Sequence, residues 1–250
     1  MPYGLYIAAE GAHAQAKRLE VIANNLANVD TAGFKRQLAI FQARYAEAIE
    51  QGEDWHGSGS INQIGGGVLV RETPTDFTPG PLERTDMPTD LALETEGFFW
   101  VEKDGQRFLT RAGNFRLSSR GELVTQQGYL VLGEDGAPIV LPQPSRPFHI
   151  NASGEIVQGA FRRLLAVVKP APEDTPERVG ENLFRTQNEP EPLPPAQRQV
   201  LQGFLERSGV RPALEMLELI ETSRLIEANL NLVKAQDQML SGLVQRLFRV

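Results

Sequence analysis

Both ends of the chain carry apolar side chains at helical spacing, and the C-terminal segment carries more of them than one packing partner covers. Leu225, Ala228, Leu232, Ala235, Met239 and Leu243 form one stripe, and Ile226, Leu230, Val233, Leu240, Val244 and Leu247 form a second beside it. Two adjacent stripes on one helix need neighbours on more than one side. At the other end, Leu5, Ala8, Ala12, Leu19, Ile22, Leu26 and Val29 recur at three- and four-residue steps, broken at Gln15, which makes a heptad-like seam. A helical hairpin of the two ends would satisfy one C-terminal stripe but not both. Helices owe most of their stability to tertiary packing of the apolar face, so the surplus predicts self-association or assembly with related subunits.

Punctuation residues divide what lies between. Asn28 and Gly33 supply the means to end the first helix, with a turn through Asp30, Thr31 and Ala32. The run QLAIFQARYAEAIEQG reads as a second short helix, and Gly52 to Gly67 as a flexible connector. Short runs rich in Val, Phe, Thr and Leu follow, among them VLVRET, DLALET, GFFWVEK, QRFLT and YLVL. Asp104-Gly105 between GFFWVEK and QRFLT is a hairpin signal, and Asp135-Gly136 and Ser153-Gly154 are similar turns. Residues 170–203 are rich in Pro, Glu and Asn, which suits an extended surface segment. Pro212 is placed to be the first residue of the last helix. The expected fold is α+β, with N- and C-terminal amphipathic helices packing together and an antiparallel β domain inserted between them. Its expected divisions are a helical segment 1–51, a connector 52–67, a β domain 68–169, a return segment 170–203 and a helical segment 204–250.

Charge and motif content narrow the function. Residues 1–36 carry four basic and three acidic side chains and residues 209–250 five of each, so the middle holds −8 of the net −7. An acidic middle repels phosphate backbones, which excludes nucleic acid as a partner. With no cysteine, neither disulfides nor thiolate chemistry are available. The N-terminus lacks a basic n-region and meets Glu10 too early for a signal-peptide core, and no segment offers 18 uninterrupted apolar residues. No cleavable signal and no direct membrane insertion are therefore expected. His13, His56 and His149 are scattered, and no metalloprotease, P-loop, nucleophile-elbow or dinucleotide motif is present. IGGGV at Ile64 to Val68 lacks the flanking strand and helix of a phosphate site, and Glu94 and Glu96 are alternate residues of a strand. No enzyme activity and no cofactor are expected. Amphipathic ends lying on a membrane would carry a Lys/Arg-rich polar face, whereas the C-terminal segment balances its charges.

Three segments carry a resemblance. ANNLANVDTAGFKR, residues 23–36, resembles the N-terminal signature of the flagellar rod and hook axial family. The block from Gly80 to Gly133, with its G-x-L-x-x-T start, D-L-A-L and G-F-F-x-V strands and G-x-L-V-T-x-x-G-Y turn, is similar to that family's central block. The stretch from Gly203 to Leu240 resembles its C-terminal block, with Leu205-Glu206, Val210, Ile220-Glu221, Arg224, Glu227 and Asp237-Gln238-Met239-Leu240 in the expected places. Gly209 replaces an asparagine frequent in the family, and the segment between Leu141 and Arg198 is short for the distal-rod (G-type) member, which favours the proximal-rod (F-type). The resemblance implies a structural subunit of the basal-body rod of the bacterial flagellum, in the part that spans the periplasm. It implies export without signal cleavage by the flagellar type III export apparatus, and partners that are copies of itself and other rod and hook axial proteins. Distal-rod and hook-type paralogues are the alternatives.

The predicted assembly interface draws on both ends. Leu19, Ile22 and Leu26 come from the N-terminal seam, and Leu217, Ile220, Leu232, Met239 and Leu240 from the C-terminal helix. Asn24, Asn25 and Asn28 are poor helix formers. They either cap a fraying helix end or bond neighbouring subunits and fix register, as a buried polar residue does in a coiled coil. Phe34 and Lys35 are either a loop anchor and a solvated charge or an inter-subunit contact. Arg224 and Glu227, three apart, are worth only about 0.2–0.5 kcal/mol as an ordinary surface pair, but bridge subunits in the assembly reading.

Overall fold

Tyr3–Ala27 forms the first helix, α1, and Pro212–Leu247 the last, α2, as the apolar periodicity predicts. In α2 the proline occupies the first turn, where its missing N–H costs no hydrogen bond, and Glu215 and Arg246 complement the helix dipole at the two ends. The computed structural model describes residues 3–45, 49, 51–52, 55 and 65–247. They divide into two compact units, one of Met1–Ala27, Gln37–Asp76 and Arg211–Val250, the other of Asn28–Arg36 and Phe77–Val210.

The helical unit packs α1 against α2. A two-stranded antiparallel ribbon, Ile40–Ala43 with Val68–Glu72, lies against α1 and places Phe41 opposite Val70. Residues 40–43 therefore differ from the helix expected of QLAIFQARYAEAIEQG. Ladder hydrogen bonds to a strand across the glycine-rich stretch outweigh a locally helical pattern. Residues 46–48 and 50 of that run, and most of the expected connector, lie outside the described residues.

The β unit is built on a nine-stranded antiparallel sheet. Phe98–Lys103 and Gln106–Thr110 form its central hairpin, turned at Asp104 (φ 51°) and Gly105 (φ 75°), the left-handed pair the Asp-Gly signal predicts. Leu183–Arg185 and then Glu177–Gly180 extend it on one side, and Leu130–Val131, Leu123–Val124 and Arg116–Leu117 on the other. Val167–Lys169 also pairs with the central strand and carries Glu191–Pro192. Both faces of the sheet are covered. Phe99 and Val101 join Leu91, Leu123 and Ile139 in the larger core, where the Phe99 and Phe115 rings meet edge to face at 5.2 Å. Phe98, Leu109, Val168 and Phe184 form a smaller cluster with Phe77.

Two expected divisions look different in the structure. Val68–Glu72 pairs within the helical unit, so the main segment of the β unit runs from Phe77, and Asn28–Arg36 of the expected N-terminal helical segment joins it. Residues 170–203 are not a surface return, because Leu183 and Phe184 are buried in the sheet and Val200–Gln202 pairs with Leu91–Leu93. The proline content of that stretch masked short buried runs.

Candidate assembly interface

In the helical unit, α2 exposes many large apolar side chains. Leu217 (64% exposed), Ile220 (50%), Leu232 (55%), Met239 (64%) and Leu240 (36%) all face out, as do Leu214, Met216, Leu225, Leu230, Leu243 and Val244. Arg224 and Glu227 are exposed on the same helix. Eleven large apolar residues exposed on one helix, although interleaved with exposed charges such as Glu221, Lys234 and Asp237, exceed the scattered apolar residues of an ordinary protein surface. On α1, Asn24 is exposed, Leu19 and Leu26 are half-buried and Ile22 is buried. Asn28, which belongs to the β unit, is half-buried.

Asn25 is 2% exposed, and the structure uses its amide inside the chain. Its Nδ2 donates to the Gln37 carbonyl and its Oδ1 accepts from the Gln37 N–H, both at 2.9 Å. The side chain thereby stands in for a strand partner and fixes where the chain returns after α1. Asn25→Leu removes both partners of a half-buried backbone, so it is expected to cost about 1–3 kcal/mol in urea unfolding while helix content persists. An unchanged midpoint would contradict this role.

Phe34 and Lys35 are likewise consumed within the β unit. The Arg178 guanidinium stacks on the Phe34 ring at 4.4 Å and donates to the Lys35 carbonyl. Lys35, 1% exposed, donates from Nζ to Glu206 Oε1 at 2.5 Å and to the Thr78 carbonyl at 2.8 Å. Glu206 Oε1 also accepts from the Gly80 N–H at 2.7 Å. Arg111 Nε lies 3.3 Å from Oε2, an ion-pair contact without hydrogen-bond geometry. Burial pulls the Arg111 pKa down, opposed by the charges of Glu206 and Glu96. Neither a solvated charge nor a subunit contact describes Lys35, because water is excluded from it by the chain itself. Backbone bonds run beside the pair, from Gly33 N–H to the Glu206 carbonyl at 2.7 Å and from Gly209 N–H to the Phe34 carbonyl at 3.3 Å. The segment that follows α1 in sequence is thus tied to the segment that precedes α2. Nothing local in the sequence marks Glu206 as the partner, 171 residues from Lys35.

Among the described residues no group of side chains is suited to a metal ion, and no helix is long and apolar enough to cross a membrane.

Comparison with known proteins bears on the same segments. Residues 5–35 match a family described as flagella basal body rod protein. Residues 92–158 match the flagellar hook protein FlgE/F/G D1 domain. Residues 201–246 match the flagellar basal body rod FlgEFG protein C-terminal family. The flagellar basal-body rod protein FlgF of Caulobacter vibrioides is 31% identical over the full length of both chains. FlgG of Buchnera aphidicola subsp. Schizaphis graminum is 33% identical over 96% of this chain and 98% of its own, and FlgG of Bacillus subtilis 29% over 96% and 97%.

Proposed function

This chain belongs to the flagellar basal-body rod proteins, and from that premise we propose that it polymerises through the outward apolar face of α2. It is a structural subunit of the rod, not an enzyme, and it assembles with other rod and hook components. The observation that supports the route is the exposure of Leu217, Leu232 and Met239 at more than half of their surface each. Burying a side chain of this kind contributes about 1.5–3 kcal/mol, so a lattice that covers several of them gains more than the hairpin alone. Copies of the chain and related axial subunits are the occupants, because identical helices offer identical apolar faces with balanced charge.

Leu19 and Leu26 of α1, with Asn24, extend the interface, and Arg224 and Glu227 supply polar contacts between neighbours. Export follows the flagellar type III route without cleavage of a signal. A proximal-rod position is favoured by the short segment between Leu141 and Arg198 and by Gly209.

Leu217→Asp combined with Leu232→Asp tests the route. Both sites are exposed, so thermal unfolding of the purified chain is expected to shift by less than about 1 kcal/mol, while motility and rod assembly are lost. Normal swimming of cells carrying the double variant would overturn the assignment of this face.

A further inference from the structure

The covered face of α2 is half polar, although large apolar residues of the same helix lie exposed. Seven of its buried and half-buried positions, Glu215, Leu219, Thr222, Ile226, Asn229, Val233 and Gln236, step by four and three, with Ser223 and Gly242 beside them. One of the two core lines, Glu215, Thr222, Asn229 and Gln236, is polar at four successive positions seven apart. Glycines of α1 lie opposite, also seven apart. A Cβ on Gly4 would stand 2.6 Å from Gln236 Nε2, and one on Gly11 would stand 3.4 Å from Asn229 Nδ2. Arg18, the next sevenfold position of α1, pairs with Glu218 at 3.2 Å.

This seam is poor in stabilising terms. Gln15 Oε1, Thr222 Oγ1 and Gln236 Oε1 are buried without a hydrogen-bond partner, and each such group carries a desolvation cost. Meanwhile Leu217, Leu225, Leu232, Met239 and Leu243 lie outside, and the apolar core line is limited to Leu219, Ile226 and Val233. A hairpin built for stability alone would carry apolar residues on both core lines. Polar residues at coiled-coil core positions sacrifice stability and specify one alignment.

We propose that the line Thr222, Asn229, Gln236 against Gly4 and Gly11 is the register lock of the α1–α2 hairpin. It selects one antiparallel alignment and so presents the outer apolar face in one phase. A slip of one heptad that carries Leu225 to position 18 moves Gln236 from Gly4 to Gly11 and sets the branched Leu243 against Gly4, so no amide faces that glycine. The opposite slip sets the shorter Thr222 against Gly11 and leaves a gap. The inference concerns the alignment within one chain and is tested without assembly, so it fails or stands separately from the polymerisation route.

The chain has no cysteine, so introduced thiols report register without background. Arg18→Cys is combined in turn with Glu218→Cys, Leu225→Cys or Arg211→Cys in the full-length purified chain, and the thiols are bridged by a short bismaleimide at low protein concentration. With the natural seam, the 18–218 product is expected to exceed each slipped product by about tenfold. In the background Thr222→Val, Asn229→Leu, Gln236→Leu, the three yields should come within about threefold of one another while helix content by circular dichroism holds or rises. Gly11→Leu, which leaves α2 untouched, should also erode the 18–218 preference. A single register retained in both the apolar seam and Gly11→Leu would overturn the lock, as would comparable yields from the natural seam.

Discussion

Replacing Glu206 by glutamine is expected to lower the stability of the β unit by about 3–5 kcal/mol, the cost of leaving buried charge uncompensated. The carboxylate is shared by the two buried cations of the cluster, holding Lys35 at 2.5 Å and Arg111 at 3.3 Å, all three less than 4% exposed. Glutamine keeps the volume and still accepts from the Gly80 N–H, so the loss reports charge and not a cavity. Lys35→Met is expected to cost less than half as much, because Arg111 and Glu206 then remain a balanced pair. Denaturant midpoints at constant m value read the difference. Equal losses for the two variants would show that charge balance is not what holds this cluster. The asymmetry matters for assembly, because the pair ties together the segments that continue into α1 and α2 in sequence. A chain without it is expected to be lost before it reaches the rod.

Gly33→Ala is expected to destabilise by about 2–4 kcal/mol, combining left-handed backbone with overpacking. Gly33 sits at φ 65°, and a Cβ there would lie 2.3 Å from the Arg111 carbonyl carbon and 2.4 Å from its oxygen. Backbone rather than a flexible side-chain end is in the way, so the loop itself must move. Its movement would break the Gly33 N–H bond to the Glu206 carbonyl and withdraw Lys35 from its partner. Gly105→Ala is the control, with φ 75° and nothing within 4 Å of the added atom. It should cost about 1 kcal/mol. Equal effects at the two sites would mean that conformation alone, and not the close approach to Arg111, requires glycine at position 33.

Local patterns are enough to read the two terminal helices and the Asp104-Gly105 hairpin, because each is specified by residues a few positions apart. The pairings that were not legible are those with distant partners. Ile40–Ala43 looks helical until Val68–Glu72 supplies its ladder, and Leu183–Phe184 is hidden in proline-rich sequence until the sheet claims it. The interface divided in the same way. The exposed residues of α2 follow from two apolar stripes that one partner cannot cover. The opposite fate of Asn25 and Lys35 does not, because their roles depend on the Gln37 backbone and on Glu206. A lysine placed directly after Gly33 and Phe34, in a loop otherwise anchored by an aromatic ring, was the one signal available for a buried charge.

A rod subunit of this kind must be present for the shaft to grow. Electron microscopy of basal bodies purified from cells lacking the gene tests this most directly. The predicted result is particles that stop at the inner membrane or at a short stub, with no distal rod and no hook, and the length of the stub places the subunit along the shaft. Complete rods and hooks in those cells would contradict it.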